Sequence, residues 1–187
     1  MTPRGRAVAG IVLAAGEGRR FGMPKALVDL DGERLLDRAV RLVTAGGCHP
    51  VIVVSGAAHL DVAGAVVVHN PAWRTGMGSS LRAGLDALHD EIAAALVMLV
   101  DTPWLGADAV RRLVAAHDAG VQLAVATYGG TPGHPVLLGR EHWDSIRLVA
   151  VGDIGARAYL RGRLDVTEVD CTGTGDPSDI DTPGDLR

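Results

Sequence analysis

Lysine is almost missing from this chain. Of its 18 basic residues, 17 are arginine and one is Lys25. Cysteine is scarce too. Cys48 and Cys171 stand far apart, neither in a CxxC pair nor beside a histidine cluster, which excludes a zinc-finger reading and a disulfide scaffold. No apolar run approaches the roughly 20 residues needed to cross a bilayer. The start, Met1 to Arg6, is basic, but the apolar run Ala7–Ala15 that follows leads straight into a glycine loop, so no signal peptide is expected. A cytoplasmic location is expected. Positive charge is not in excess: the net charge is −4, which argues against non-specific binding to nucleic acid or to an anionic membrane. Internal repeats are absent, and no Ser-His-Asp or Cys-His set occurs at a recognisable spacing.

What is present is a globular chain of 187 residues, 48% hydrophobic, expected as a single domain over 1–187. Short valine-rich runs read as buried strands: Val8–Ala14, Val51–Ser55, Ala65–His69, Ala95–Val100 and Val121–Thr127. Between them, Leu35–Ala45, Ser79–His89 and Ala107–Ala119 carry apolar residues at helical spacing. This alternation predicts an α/β fold with a mostly parallel central sheet and helices on both faces. Beyond residue 129 the pattern is irregular. Val136–Leu138 reads as a short strand, Asp153–Arg161 as a short helix, Leu164–Val169 as a last strand, and the segment from Cys171 as loop.

The first strand runs into a glycine loop holding Arg19, Arg20 and Lys25. Glycines let backbone N–H groups approach an anion, and the cations add donors for phosphate oxygens. The loop lacks the Gly-Lys pair of a P-loop. It also misses the dinucleotide spacing, because the third glycine, Gly22, comes one residue late and the second strand ends in Ser55 rather than an acid. A triphosphate is the expected guest. Lys25 escaped whatever bias filled the chain with arginine, and a compact ammonium suits a tight phosphate site.

Asp101 directly follows the strand Ala95–Val100, at the carboxyl edge where open α/β sheets bind ligands. There it would hold Mg²⁺ against the triphosphate. The Asp-Thr-Pro triplet recurs at 181–183, in a segment crowded with Asp176, Asp179, Asp181 and Asp185, most of them read as merely solvated. Gly76 to Ser80 opens a helix whose free N–H groups and hydroxyls suit a base, ribose or phosphate, or simply a cap. Trp73 and Arg74 read as surface packing. His134 in a turn and Asp153 at a helix start admit both structural and ligand-binding readings.

Six segments in order carry a resemblance. LAAGEGRRFGMPK (residues 13–25), NPAWRTGMGSSLRAGL (70–85), DTP (101–103), GHPVLL (133–138), GDIGAR (152–157) and DIDTPGDL (179–186) resemble the signatures of the molybdenum cofactor cytidylyltransferases and related MobA/MocA-like nucleotidyltransferases. The resemblance implies the Rossmann-like nucleotidyltransferase fold of glycosyltransferase-A type. It implies transfer of CMP from CTP to a molybdopterin-type acceptor, with Mg²⁺ and with a molybdoenzyme as possible recipient of the product. By position, Lys25, Arg20 and Asp101 would be catalytic, and Asp101 and Asp181 would hold the metal. Leu13, Ala14, Ala15, Gly16, Gly18, Arg20, Lys25, Ser55, Gly56, Gly76 and Ser80 would bind the nucleotide. His134, Asp153 and Arg157 would face the acceptor. Glu17-Gly18 stands where the signature has x-Ser, and Phe21 where it has Met. Ala15 in place of a glycine leans toward cytosine over a purine. The alternatives are a relative using GTP or a sugar phosphate, and a non-catalytic cofactor-binding chaperone. An NAD oxidoreductase is disfavoured by the glycine spacing.

Overall fold

The computed structural model describes residues 7–186. The chain order is β1 (Val8–Leu13), β2 (Asp29–Leu30), β3 (Glu33–Arg34), α1 (Leu35–Ala45), β4 (Val51–Ser55), β5 (Val66–His69), α2 (Met77–Asp86), β6 (Ala94–Leu99), α3 (Ala107–Asp118), β7 (Leu123–Tyr128), β8 (Thr131–Gly139), α4 (Trp143–Val149), α5 (Ala156–Leu160) and β9 (Thr167–Asp170). Strands β2 and β3 form a small antiparallel pair. The other seven make one sheet in the order β5-β4-β1-β6-β8-β7-β9. Pairing is parallel throughout except where β8 runs antiparallel to both β6 and β7.

Residue alternation along the central strands sorts two cores. Val12, Val53, Leu96, Met98 and Leu137 face α1 and α3, meeting Leu36, Val40, Val43 and Leu113. Ile11, Val54, Val97, Val136 and Leu138 face the other way, onto Leu81 and Leu85 of α2, Trp143 and Ile146 of α4 and Leu160 of α5. Helices therefore cover both faces, as the sequence pattern predicts. Each fully buried Leu or Ile here contributes about 1.5–3 kcal/mol. Both faces of β1, β4 and β6 being covered explains why those strands read as continuous apolar runs rather than as alternation. The carboxyl ends of these three strands lie side by side at one sheet edge, and their following loops meet there.

Several boundaries shift from the sequence reading. Helix α2 begins at Met77 with Gly76 as its cap and ends at Asp86. Strand β8 is nine residues long rather than three, and α4 lies where no helix is expected. Strand β9 begins at Thr167, leaving Leu164 wholly exposed.

Candidate active site

The loop after β1 is closed by its own backbone. Phe21 and Gly22 both donate N–H bonds to the Gly18 carbonyl, at 2.9 and 2.8 Å. Gly18 sits at φ 65°, and a Cβ there would collide with the Met23 carbonyl. The serine of the family signature cannot occupy this backbone, so Gly18 and this loop shape belong together. Pro24 then starts a single 3₁₀ turn over Lys25–Leu27, fixed by the buried Ala26. The turn aims Lys25 back at the sheet edge.

Lys25 Nζ donates to Asp101 Oδ2 and to Asp181 Oδ1, both at 2.9 Å. Arg20 Nη1 lies 3.1 Å from Asp181 Oδ2. Burial alone would lower the Lys25 pKa, but its bonds to Asp101 and Asp181 outweigh it and the ammonium is held above its usual range. The Asp181 carboxyl is held below the usual range, chiefly by its hydrogen bond from Lys25.

Asp101 is delivered by β6: the Val100 N–H donates to the Leu13 carbonyl (3.2 Å), so the strand end is registered on β1. Helix α3 is capped by Gly106, not by Asp101. Asp181 is brought from far along the chain because the Ile180 N–H donates to the Asp101 carbonyl (2.8 Å) and the Ile180 side chain is fully buried. That anchor also brings Asp179 within reach. Carboxylate oxygens of Asp101, Asp179 and Asp181 all lie within 4.8 Å of one another. Asp101 Oδ1 is buried and has no hydrogen-bond partner. An orphaned carboxylate oxygen is costly. Three carboxylates with an unsatisfied oxygen fit a hard divalent cation such as Mg²⁺, which takes oxygen ligands. Sequence alone does not separate Asp179 from the solvated acids around it; its spacing of two from Asp181 across the buried Ile180 is the signal that marks it.

These groups sit at one end of an open cleft of about 550 Å³. Its lining includes Leu13, Ala14, Ala15, Gly16, Gly18, Arg20, Lys25, Gly76, Ser80, Asp101, Asp153 and Asp181, twelve of the residues expected to form the site. Glu17 and Arg19, paired with each other, line it too, as do Trp73, Arg74 and Met77. Below Ser80, the buried Asn70 amide donates to Ser79 Oγ (2.8 Å) and Ser80 Oγ (3.1 Å), while its carbonyl oxygen accepts the Ala72 N–H (3.0 Å). Asn70 thus ties the segment after β5 to the first turn of α2, a positioning role not assigned from sequence.

Four expected residues do not line the cleft. The Ser55 side chain is buried and its hydroxyl turns to the Val68 carbonyl (3.5 Å). Gly56 lies behind the wall, where a Cβ would come within 2.6 Å of Trp73 Cβ and 2.7 Å of the Ala15 carbonyl. His134 is only 9% exposed, on the sheet face beneath α5, with Nδ1 3.4 Å from Arg157 Nη2. Burial and the Arg157 charge push its pKa down to about 3, so it is neutral at physiological pH. Arg157 opens into a separate cavity of about 530 Å³ beside Arg161 and Arg163. Of the expected acceptor trio, only Asp153 reaches the cleft.

A glycine-rich strand-end loop carrying cations, facing clustered aspartates across a cleft in a Rossmann-like sheet, defines a nucleotidyltransferase-type site. Comparison with known proteins agrees. Residues 10–168 match the model of the MobA-like NTP transferase domain, and the chain belongs to that family. It is 33% identical to a molybdenum cofactor guanylyltransferase of Rhodobacter capsulatus, over 96% of this chain and 93% of that protein. It is 35% identical to the nicotine blue oxidoreductase of Paenarthrobacter nicotinovorans, over 94% and 92%. Among solved structures, Rv0371c from Mycobacterium tuberculosis H37Rv superposes with a TM-score of 0.82 at 27% identity, covering 96% of this chain and 95% of that one. No helix among the described residues is long and apolar enough to cross a membrane.

Proposed function

We propose that this protein transfers a nucleoside monophosphate from an NTP to a phosphorylated, molybdopterin-type acceptor in the cytoplasm, releasing pyrophosphate, with CTP as the preferred donor and Mg²⁺ as the metal. The observation that carries this reading is the junction of Lys25 with Asp101 and Asp181 at the mouth of the glycine loop.

An acceptor phosphate oxygen attacks the α-phosphorus in line; the new P–O bond forms as the bond to the β-phosphate breaks, and pyrophosphate leaves. No protein nucleophile is required, so positioning and charge neutralisation supply the acceleration. Asp101, Asp179 and Asp181 would hold the cation, whose chemistry there is neutralisation of phosphate charge. Lys25, which donates to Asp101 and Asp181, would neutralise charge on the reacting oxygens. Arg20 grips the outer phosphates, and backbone N–H groups of the loop complete the cradle. Asp153, at the far wall beside Gly76 and Met77, faces the acceptor.

Base choice rests on Ala15, whose methyl stands where a glycine would leave room for a purine. The guanylyltransferase name of the Rhodobacter relative supports GTP instead. Pyrophosphate release measured with Mg²⁺, molybdopterin and each NTP in turn decides it. Release with CTP, abolished in Asp101→Ala, is the expected result; release with GTP alone would overturn the base assignment. A second reading, a redox reaction in the same cleft, is favoured by the oxidoreductase name of the Paenarthrobacter relative. It predicts no pyrophosphate from any NTP, together with consumption of a reduced nicotinamide nucleotide.

A further inference from the structure

The cleft lining combines charged and aromatic groups. Its loop carries Arg19 paired with Glu17, Arg20 with Asp181, and Lys25 with Asp101 and Asp181. Among the described residues Trp73 is the only aromatic side chain in that lining. A Cβ at Gly56 would meet both Trp73 Cβ and the Ala15 carbonyl, so Trp73 and the loop backbone flank the same glycine. A nucleotide whose phosphates lie along the cationic loop would extend its base toward Trp73. Aromatic faces are general platforms for bases, but they do not choose among them.

Arg74 supplies a chooser. It is exposed, and its guanidinium carbon lies 4.5 Å from the centre of the Trp73 ring. Of the four cations that line the cleft, it alone makes no ion pair or side-chain hydrogen bond among the described residues. Its planar fork of N–H donors is therefore unspent. Such a fork matches an edge with two neighbouring acceptors. Guanine offers N7 and O6, and cytosine offers N3 and O2. Uracil interposes a donor between its two carbonyls, and adenine places an amino group beside its ring acceptors.

The geometry points to Arg74, seated on Trp73, as the base-selecting residue of this cleft, accepting cytosine or guanine and rejecting uracil and adenine. This rests on the nucleotide-binding reading proposed above. It deepens that reading by dividing the work: Arg74 separates the two acceptor-pair bases from the rest, and the room beside Ala15 then separates pyrimidine from purine.

The test is binding, which needs neither acceptor nor turnover. CTP, GTP, UTP and ATP are titrated with Mg²⁺ into the full chain, by calorimetry and by the emission of Trp73, with Trp73→Phe identifying that signal. Wild type should bind CTP or GTP roughly tenfold more tightly than UTP and ATP. Arg74→Ala should lose that margin while its affinity for UTP and ATP stays put. Arg74→Lys, which keeps the charge but not the fork, should behave like Arg74→Ala. An equal loss for all four nucleotides would make Arg74 a phosphate contact and overturn the inference, as would a wild type without the margin. Selective binding without pyrophosphate release would sink the transferase reading alone. Turnover without base selectivity would sink this inference and the CTP preference while leaving the transferase reading standing, and a protein that binds no NTP would sink all three.

Discussion

Acid should destabilise this protein through His134, by an amount that its burial sets. The imidazole is 9% exposed beside Arg157 and its pKa is lowered to about 3. In the unfolded chain it titrates near about 6.5. Between those values the unfolded state binds the proton and the folded state does not, so stability falls as pH drops from about 6.5 toward 3. At pH 5 the difference amounts to about 2 kcal/mol relative to pH 8. With a urea slope of about 2 kcal/mol per molar, the unfolding midpoint should fall by about 1 M from this group alone. Carboxylates add their own slope, so the comparison is with His134→Gln, which keeps a polar side chain and leaves intact the bond from Tyr128 Oη to the main-chain carbonyl of residue 134 (2.8 Å). The variant is expected to have a pH-independent offset and a shallower loss between pH 8 and pH 5. If wild type and variant lose the same stability over that interval, His134 is not buried as a neutral base and the reasoning fails.

Lys25→Ala should reduce pyrophosphate release on the order of 10²–10³-fold, as for removal of one preorganised donor; normal turnover in a folded variant would remove Lys25 from the chemistry. Gly18→Ser should restore the signature hydroxyl yet lower the melting temperature by about 4 °C or more, since left-handed backbone costs a side chain about 1–2 kcal/mol before the Met23 collision is counted; an unchanged melting curve would show that the loop can rearrange. Asp179→Asn should weaken Mn²⁺ binding, read by paramagnetic resonance, on the order of tenfold; unchanged affinity would confine the metal to Asp101 and Asp181.

The buried parallel strands were legible because covered faces demand apolar runs, and β1, β4 and β6 fall within a residue or two of their expected bounds. The glycine loop and Asp101 were legible for the same reason: a strand end fixes where the next side chain lands. Strand β8 was not. Its first half carries Pro132, Gly133 and Pro135, residues that mark turns in isolation, and the ladder with β7 shifts register between Val125 and Thr127 to admit them. Helix α4 buries only Trp143 and Ile146, too few to show a period. Asp179 and the Asn70 hub were hidden because each acts through a contact with a distant segment. Ser55, Gly56, His134 and Arg157 lie outside the cleft lining: motif position brings them near the site, but packing turns their side chains, or for Gly56 the space beside it, away from the cleft.

The solitary lysine has a practical consequence. Apart from the amino terminus, this chain offers amine-directed reagents a single side chain, and that side chain sits inside the cleft, protonated and clamped between two carboxylates. While the clamp holds, acylation there should be slow. Any ligand or ion that draws Asp101 and Asp181 away changes the nucleophilicity of that one nitrogen. The mass of the intact protein after brief labelling therefore becomes a direct readout of the clamp, without mutation and without an attached probe.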